Sequence, residues 1–130
     1  MKEAKEIAKE LSKGNVKKAA EIRTQLLRIE GESFEMELTE IAKQAMLNQL
    51  KKGNIKAAKE IEGSFDIPES MAEDTIQQAV MSSFREGNVM LIKELKDDLP
   101  IPNELRVKIV QYCASWGKKD MTELMQTVFA

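Results

Sequence analysis

One phrase recurs along the chain and constrains its fold more than any other feature. Residues 11–22 read "LSKGNVKKAAEI", residues 51–61 "KKGNIKAAKEI", residues 84–95 "FREGNVMLIKEL" and residues 114–125, in altered form, "ASWGKKDMTELM". Aligned on Gly14, Gly53, Gly87 and Gly117, the copies stand 39, 34 and 30 residues apart. Ahead of each glycine the apolar residues keep helical spacing: Ile7 and Leu11; Ile41, Ala45, Met46 and Leu50; Ile76, Val80 and Phe84; Ile109, Val110 and Ala114. Behind it they step by three, as Val16, Ala19 and Ile22, then Ile55, Ala58 and Ile61, then Val89, Ile92 and Leu95. A helix arrives at each glycine and another leaves. Glycine takes the left-handed conformation that ends a helix without a β-carbon clash, and the asparagine oxygen can accept from the open amides of the next first turn. The fourth copy lacks asparagine but offers Asp120 and Glu123 as a capping box. So short a connection folds two helices back on each other, and each copy predicts one helical hairpin. The alignment also places Leu50, Phe84 and Ala114, three residues before their glycines, in the core.

The joints between hairpins are patterned too. "FDIPES" (65–70) and "LPIPNE" (99–104) repeat Ile-Pro, which predicts helix starts at Pro68 and Pro102 with Glu69 and Glu104 at the positive helix end. The first joint, "RIEGESFEMELTE" (28–40), is longer and has no proline, so either the preceding helix is extended or a loop intervenes. Composition agrees with helices throughout: only 5% of residues are aromatic, and Ala, Leu, Met, Glu, Lys and Gln outnumber β-branched residues. A chain of 130 residues with 42% hydrophobic residues buries roughly two-thirds of its unfolded surface and makes one domain, residues 1–130. Hairpins with two apolar stripes each cannot bury them alone. The expected fold is therefore all-α, an α-solenoid of about four hairpins and about eight helices. The charged first helix suits a polar outer cap. Val128 and Phe129 are expected to pack back on the fourth hairpin, giving a monomer; a dimer would form through that same end.

The turn glycine followed five residues later by a small residue, as Gly14 with Ala19 and Gly53 with Ala58, resembles the hairpin core of tetratricopeptide and pentatricopeptide repeats. The prolines ahead of first helices, Pro68 and Pro102, are similar to that pattern as well. Ile92 and Thr122 stand at the small-residue position in the later copies. The resemblance implies a protein-binding groove if the tetratricopeptide side holds, and single-stranded RNA binding if the pentatricopeptide side does.

Catalysis has little to work with. The chain has no histidine, no phosphate-binding glycine loop and no Gly-x-Ser-x-Gly sequence. Glu73 with Asp74, and Asp97 with Asp98, are sequence neighbours that do not share a helix face, so they read as solvated surface. Cys113 is the single cysteine, which excludes an internal disulfide and reads as inert packing in a reducing compartment, the cytoplasm. The eight methionines read as core filling, with a plastic binding surface as their other use. No apolar run approaches the ~20 residues needed to cross a bilayer, and the first residues do not form a signal peptide. The chain is expected to be no enzyme, to hold no cofactor or metal, and to meet no membrane.

Two surfaces remain as candidates. Nine and five positions before each glycine lie Lys5 and Lys9, Gln44 and Asn48, Gln78 and Ser82, Lys108 and Tyr112. Each pair shares a helix face, and stacking would align the pairs across the first helices. Gln44, Asn48, Gln78, Ser82, Lys108 and Tyr112 are the expected contacts for a peptide or protein partner, since amides and a tyrosine bind backbone groups at modest entropic cost. The other surface is a basic edge at the hairpin turns: Lys13, Lys17, Lys18, Lys51, Lys52, Lys56, Arg85, Lys118 and Lys119. Lys17, Lys18 and Lys56 stand at helix starts, where the dipole disfavours them. Such an edge suits nucleic acid or polyphosphate, although a formal net charge of −2 argues against general nucleic-acid affinity. The joints are acidic in turn, which allows a third reading as a small helical inhibitor of an enzyme.

Overall fold

The computed structural model describes residues 2–99, 101–115, 123 and 126–129, with the side chains of all these except Glu32 and Cys113. The described residues form α1 (Lys2–Ser12), α2 (Val16–Glu30), α3 (Glu35–Lys51), α4 (Ile55–Ser64), α5 (Glu69–Glu86), α6 (Val89–Asp98) and α7 (Asn103–Ser115), with a 3-10 turn at Gly31–Phe34. Glu123 and residues 126–128 are helical as well, and no strand occurs among the described residues. The fold is all-α. Gly117, Lys118, Lys119, Asp120 and Thr122, which carry the expected fourth turn and the start of its second helix, lie outside the described residues.

The three described turns are built alike. Gly14, Gly53 and Gly87 take φ of 82°, 82° and 71°, a conformation that a β-carbon would strain. The amide of Gly14 donates to Leu11 C=O at 3.0 Å and that of Asn15 to Glu10 C=O at 2.9 Å. Gly53 and Asn54 repeat these bonds to Leu50 and Gln49, and Gly87 and Asn88 to Phe84 and Ser83. This pairing absorbs the last open carbonyls of the first helix. The same asparagine then opens the next helix, its carbonyl accepting from Ala19, Ala58 or Ile92.

The asparagine side chains differ from expectation in two turns of three. Asn88 Oδ1 accepts from the Leu91 amide at 3.2 Å and caps α6. Asn15 and Asn54 cap nothing with their side chains. They turn back instead: Asn15 Nδ2 donates to Glu10 Oε2 at 2.9 Å, and Asn54 Nδ2 to Gln49 Oε1 at 3.0 Å. The cause stands four residues before each glycine. Glu10 and Gln49 are long enough to reach the asparagine amide, whereas the shorter Ser83 hydroxyl donates to Ala79 C=O, leaving Asn88 for the helix.

Each first helix packs on the second helix of its hairpin, α1 on α2, α3 on α4 and α5 on α6. The first helices α1, α3, α5 and α7 then lie side by side in chain order, and α2 lies against α4. One continuous core runs from Ala4 to Phe129. It takes the residues seven and three before each of the first three glycines: Ile7 and Leu11, Met46 and Leu50, Val80 and Phe84. In α7 the buried line is Leu105 and Ile109, which falls one residue earlier relative to Gly117. Ala114, expected in the core, is exposed for that reason. Met46 and Met81 fill core space, while Met36 and Met90 stand in solvent.

At the small-residue position Ala19 and Ala58 are fully buried and let the paired helices close on each other. Ile92 is equally buried but bulkier, and α6 lies along less of α5. Instead α6 passes near the second turn, where Leu91 Cδ1 and Glu94 Oε2 come within 3.7 Å of the place a Gly53 β-carbon would occupy.

At the joints, the prolines stand where helix starts were expected. Pro68 lies immediately before α5 with φ −56° and ψ 144°, one step outside the helix, and its carbonyl accepts from Ala72. Pro102 does the same for α7, accepting from Arg106. In the first joint both alternatives contribute: α2 runs 15 residues against 10 for α4 and for α6, and the 3-10 turn fills the remainder. Arg23 of α2 fastens the second joint from outside, its guanidinium 5.6 Å from the Phe65 ring centre and 3.9 Å from Asp66. Val128 and Phe129 are buried in the core.

Candidate functional site

The face of the first-helix layer holds a groove of about 540 Å³ between α1 and α3. Its floor is apolar, from Ala8, Ile41 and Ala45, and its rim carries Ser12, Gln44, Asn48, Lys51 and Lys52, with Glu40 also on the lining. Helical spacing makes this possible, because Gln44 and Asn48 lie one turn apart on the flank of α3 that turns toward α1. Both amides are exposed, so their donors and acceptors face solvent. Lys5 and Lys9 are exposed but do not line the groove. Two neighbouring helices line the space between them with opposite flanks, so one register cannot serve both; Ala8 and Ser12 take those places on α1.

The other stripe residues meet different surroundings. Gln78 is exposed and donates to Asp74 Oδ2 at 3.1 Å, and Lys43 pairs with the same oxygen at 3.6 Å, so α3 and α5 are tied through Asp74. Ser82 is half-buried. Lys108 lines a hollow of about 280 Å³ with Glu73, Asp74, Gln77 and Glu104. Arg85 of α5 donates to the Tyr112 hydroxyl at 3.2 Å, so a stripe residue and a turn-edge residue are partners.

At the turn edge Lys13, Lys17, Lys18, Lys51, Lys52, Lys56 and Arg85 are exposed. Lys18 lies 3.7 Å from Glu10. A second hollow, of about 600 Å³, spans the first two turns, and Lys13 and Lys56 line it together with Glu60, Glu94 and Asp98. The separation of charge by edge is therefore incomplete: α6 carries Glu94 and Asp98 to the basic side because it passes the second turn. Lys51 and Lys52, assigned by sequence to the edge, line the groove.

A polar feature that the periodicity missed sits just beneath the turns. Glu10, Gln49 and Ser83 are buried at 5%, 3% and 1% exposure, each four residues before its glycine. Gln49 Nε2 donates across hairpins to Leu11 C=O at 2.9 Å, which ties the first turn to the second. The Asn15 hydrogen bond, followed by Lys18, Lys13 and Lys9, holds the Glu10 carboxyl below its ordinary value against the opposing effect of burial. A polar residue at one fixed offset in an apolar helix face was the available signal. Among the described residues no cluster of three metal-ligating side chains occurs, and no helix is long and apolar enough to cross a membrane. No family model, curated protein or solved structure matches the chain.

Proposed function

We propose that this chain is a non-catalytic protein-interaction module that takes a peptide segment of a partner protein along the groove between α1 and α3. One observation carries the reading: an apolar floor of Ala8, Ile41 and Ala45 edged by the free amides of Gln44 and Asn48. A peptide buries its own side chains on such a floor while its backbone exchanges hydrogen bonds with the rim, the usual division between apolar body and few polar contacts in binding sites. The stacking of hairpins supports kinship in kind with tetratricopeptide-like repeats, and the burial of Val128 and Phe129 supports a monomer. The single cysteine supports a cytoplasmic setting. Nucleic acid or polyphosphate at the turn edge is the less favoured reading, because Glu60, Glu94 and Asp98 share that hollow with Lys13 and Lys56 and would repel phosphate.

The test begins with a displayed random-peptide library panned on the folded protein, then titrates the selected peptide against two variants. Gln44→Glu with Asn48→Glu should weaken it by about tenfold or more, through unpaired charge in the contact. Lys13→Glu with Lys56→Glu should leave it within about twofold, a difference of under 0.5 kcal/mol. Both should keep wild-type helicity. The reverse pattern, or an affinity that falls steeply with salt as phosphate contacts do, would put the turn edge in place of the groove.

A further inference from the structure

A further cleft, about 760 Å³ in volume, opens where the second and third joints meet. It shares no lining residue with the α1/α3 groove. Its floor comes from the joints themselves: Ile67 of the Ile-Pro step before α5, Ile101 and Pro102 of the step before α7, with Leu99 and Ile76. The extended backbone that each proline imposes holds these side chains in place. Glu62 from α4 and Glu69 and Glu73 from the first turns of α5 line the same cleft. Those three carboxylates have no ion pair among the described residues. Two cations, Lys59 and Arg106, share the lining, Arg106 Nε donating to Ile101 C=O at 3.0 Å, so carboxylates outnumber cations there by three to two. Glu73 and Pro102 also line the adjoining hollow, where Asp74, already paired with Lys43, and Glu104 stand with Lys108.

We infer that this cleft docks a basic segment of a second protein, a stretch of lysines or arginines interrupted by apolar side chains. Charge complementarity names the occupant. Unpaired glutamates beside an apolar floor match cations spaced around apolar anchors, and they repel phosphate groups and acidic peptides. Carboxylates outnumber cations both in the cleft and, by three to one, in the next hollow, so the matching charge is spread along a chain rather than held on one small molecule. With the groove on the first helices, the molecule would then hold two partner segments at separate places. The inference does not rest on the groove, and either can fail alone.

Fluorescence anisotropy with three short labelled peptides tests it: lysines with two leucines, lysines with two serines, and glutamates with two leucines. The lysine–leucine peptide should bind, the lysine–serine peptide about tenfold more weakly for want of apolar anchors, and the glutamate–leucine peptide not measurably. Glu69→Lys with Glu73→Lys, both on the α5 surface, should weaken the first peptide by roughly tenfold at unchanged helicity. Gln44→Glu with Asn48→Glu should not change it. Equal binding of the two lysine peptides, or full binding by the Glu69/Glu73 variant, would overturn the assignment. So would a chain that ignores every peptide but self-associates in sedimentation at low salt and loses that association in the same variant, since the occupant would then be a second copy.

Discussion

Gln49 has the most consequences of any single polar side chain. Its amide nitrogen satisfies the Leu11 carbonyl of the preceding hairpin, and its oxygen receives Asn54. Gln49→Leu keeps the volume but strands a buried carbonyl, so it should cost about 1–3 kcal/mol in urea unfolding. Asn54→Ala removes one part-buried hydrogen bond and should cost less, about 0.5–1.5 kcal/mol. Glu10, at the same register, makes stability depend on pH. Its folded pKa lies below the ordinary value of 4.5, so as pH falls the unfolded chain takes up the proton first. The stabilisation is complete above the ordinary value and disappears as pH drops through the lower folded one. Glu10→Gln, which copies hairpin two at this position, should flatten the plot of urea midpoint against pH below about pH 5. An equally steep plot would mean that other carboxylates account for the acid sensitivity.

Hairpin closure depends on the turn glycines and on how the asparagine is used. Nothing lies within 4 Å of a β-carbon built at Gly14, and at Gly53 the nearest atoms are in ordinary contact at 3.7 Å. Space is available at both, so Gly14→Ala and Gly53→Ala should each cost about 1–2 kcal/mol through the left-handed backbone alone. The corresponding asparagine variants should recover part of that loss, since asparagine tolerates this region. A Gly53→Ala cost several times that of Gly14→Ala would show that α6 presses on the turn. Asn88→Ala should cost about 0.5–2 kcal/mol, because there the side chain caps the helix. The tight α3/α4 contact makes a separate demand: Ala58→Leu should lose about 1–3 kcal/mol by overpacking.

Charge and core act over the whole molecule. Lys51 and Lys52 belong to the groove as much as to the turn edge, so reversing them perturbs both surfaces, whereas Lys13 and Lys56 report on the edge alone. Phe129 is buried and borders a hollow with Val107, Val110, Gln111 and Gln126. Phe129→Ala should therefore lower stability by up to about 3 kcal/mol, read from thermal unfolding, while the association state in sedimentation stays that of the parent chain. A variant that kept its stability but changed its association state would assign Phe129 to an intermolecular contact.

Local chemistry determined the hairpins. A glycine that must go left-handed, an asparagine able to open a helix, and apolar residues at helical spacing are properties of a few neighbouring residues, and they placed three turns and the core positions Leu50 and Phe84 in advance. The prolines of the joints did the same for the starts of α5 and α7. Packing decided the rest, because side-chain partners and helix flanks depend on distant residues. Whether Asn15 capped a helix was still local, turning on the reach of Glu10 five residues earlier, whereas whether Ala114 was buried turned on a one-residue offset in α7 that no local pattern marks. The groove obeyed the same logic: Gln44 and Asn48 could be read from register, but Ala8 and Ser12 joined them only because α1 and α3 lie flank to flank. The Ile-Pro steps were legible as helix starts, and only the meeting of two joints made their isoleucines the floor of a cleft.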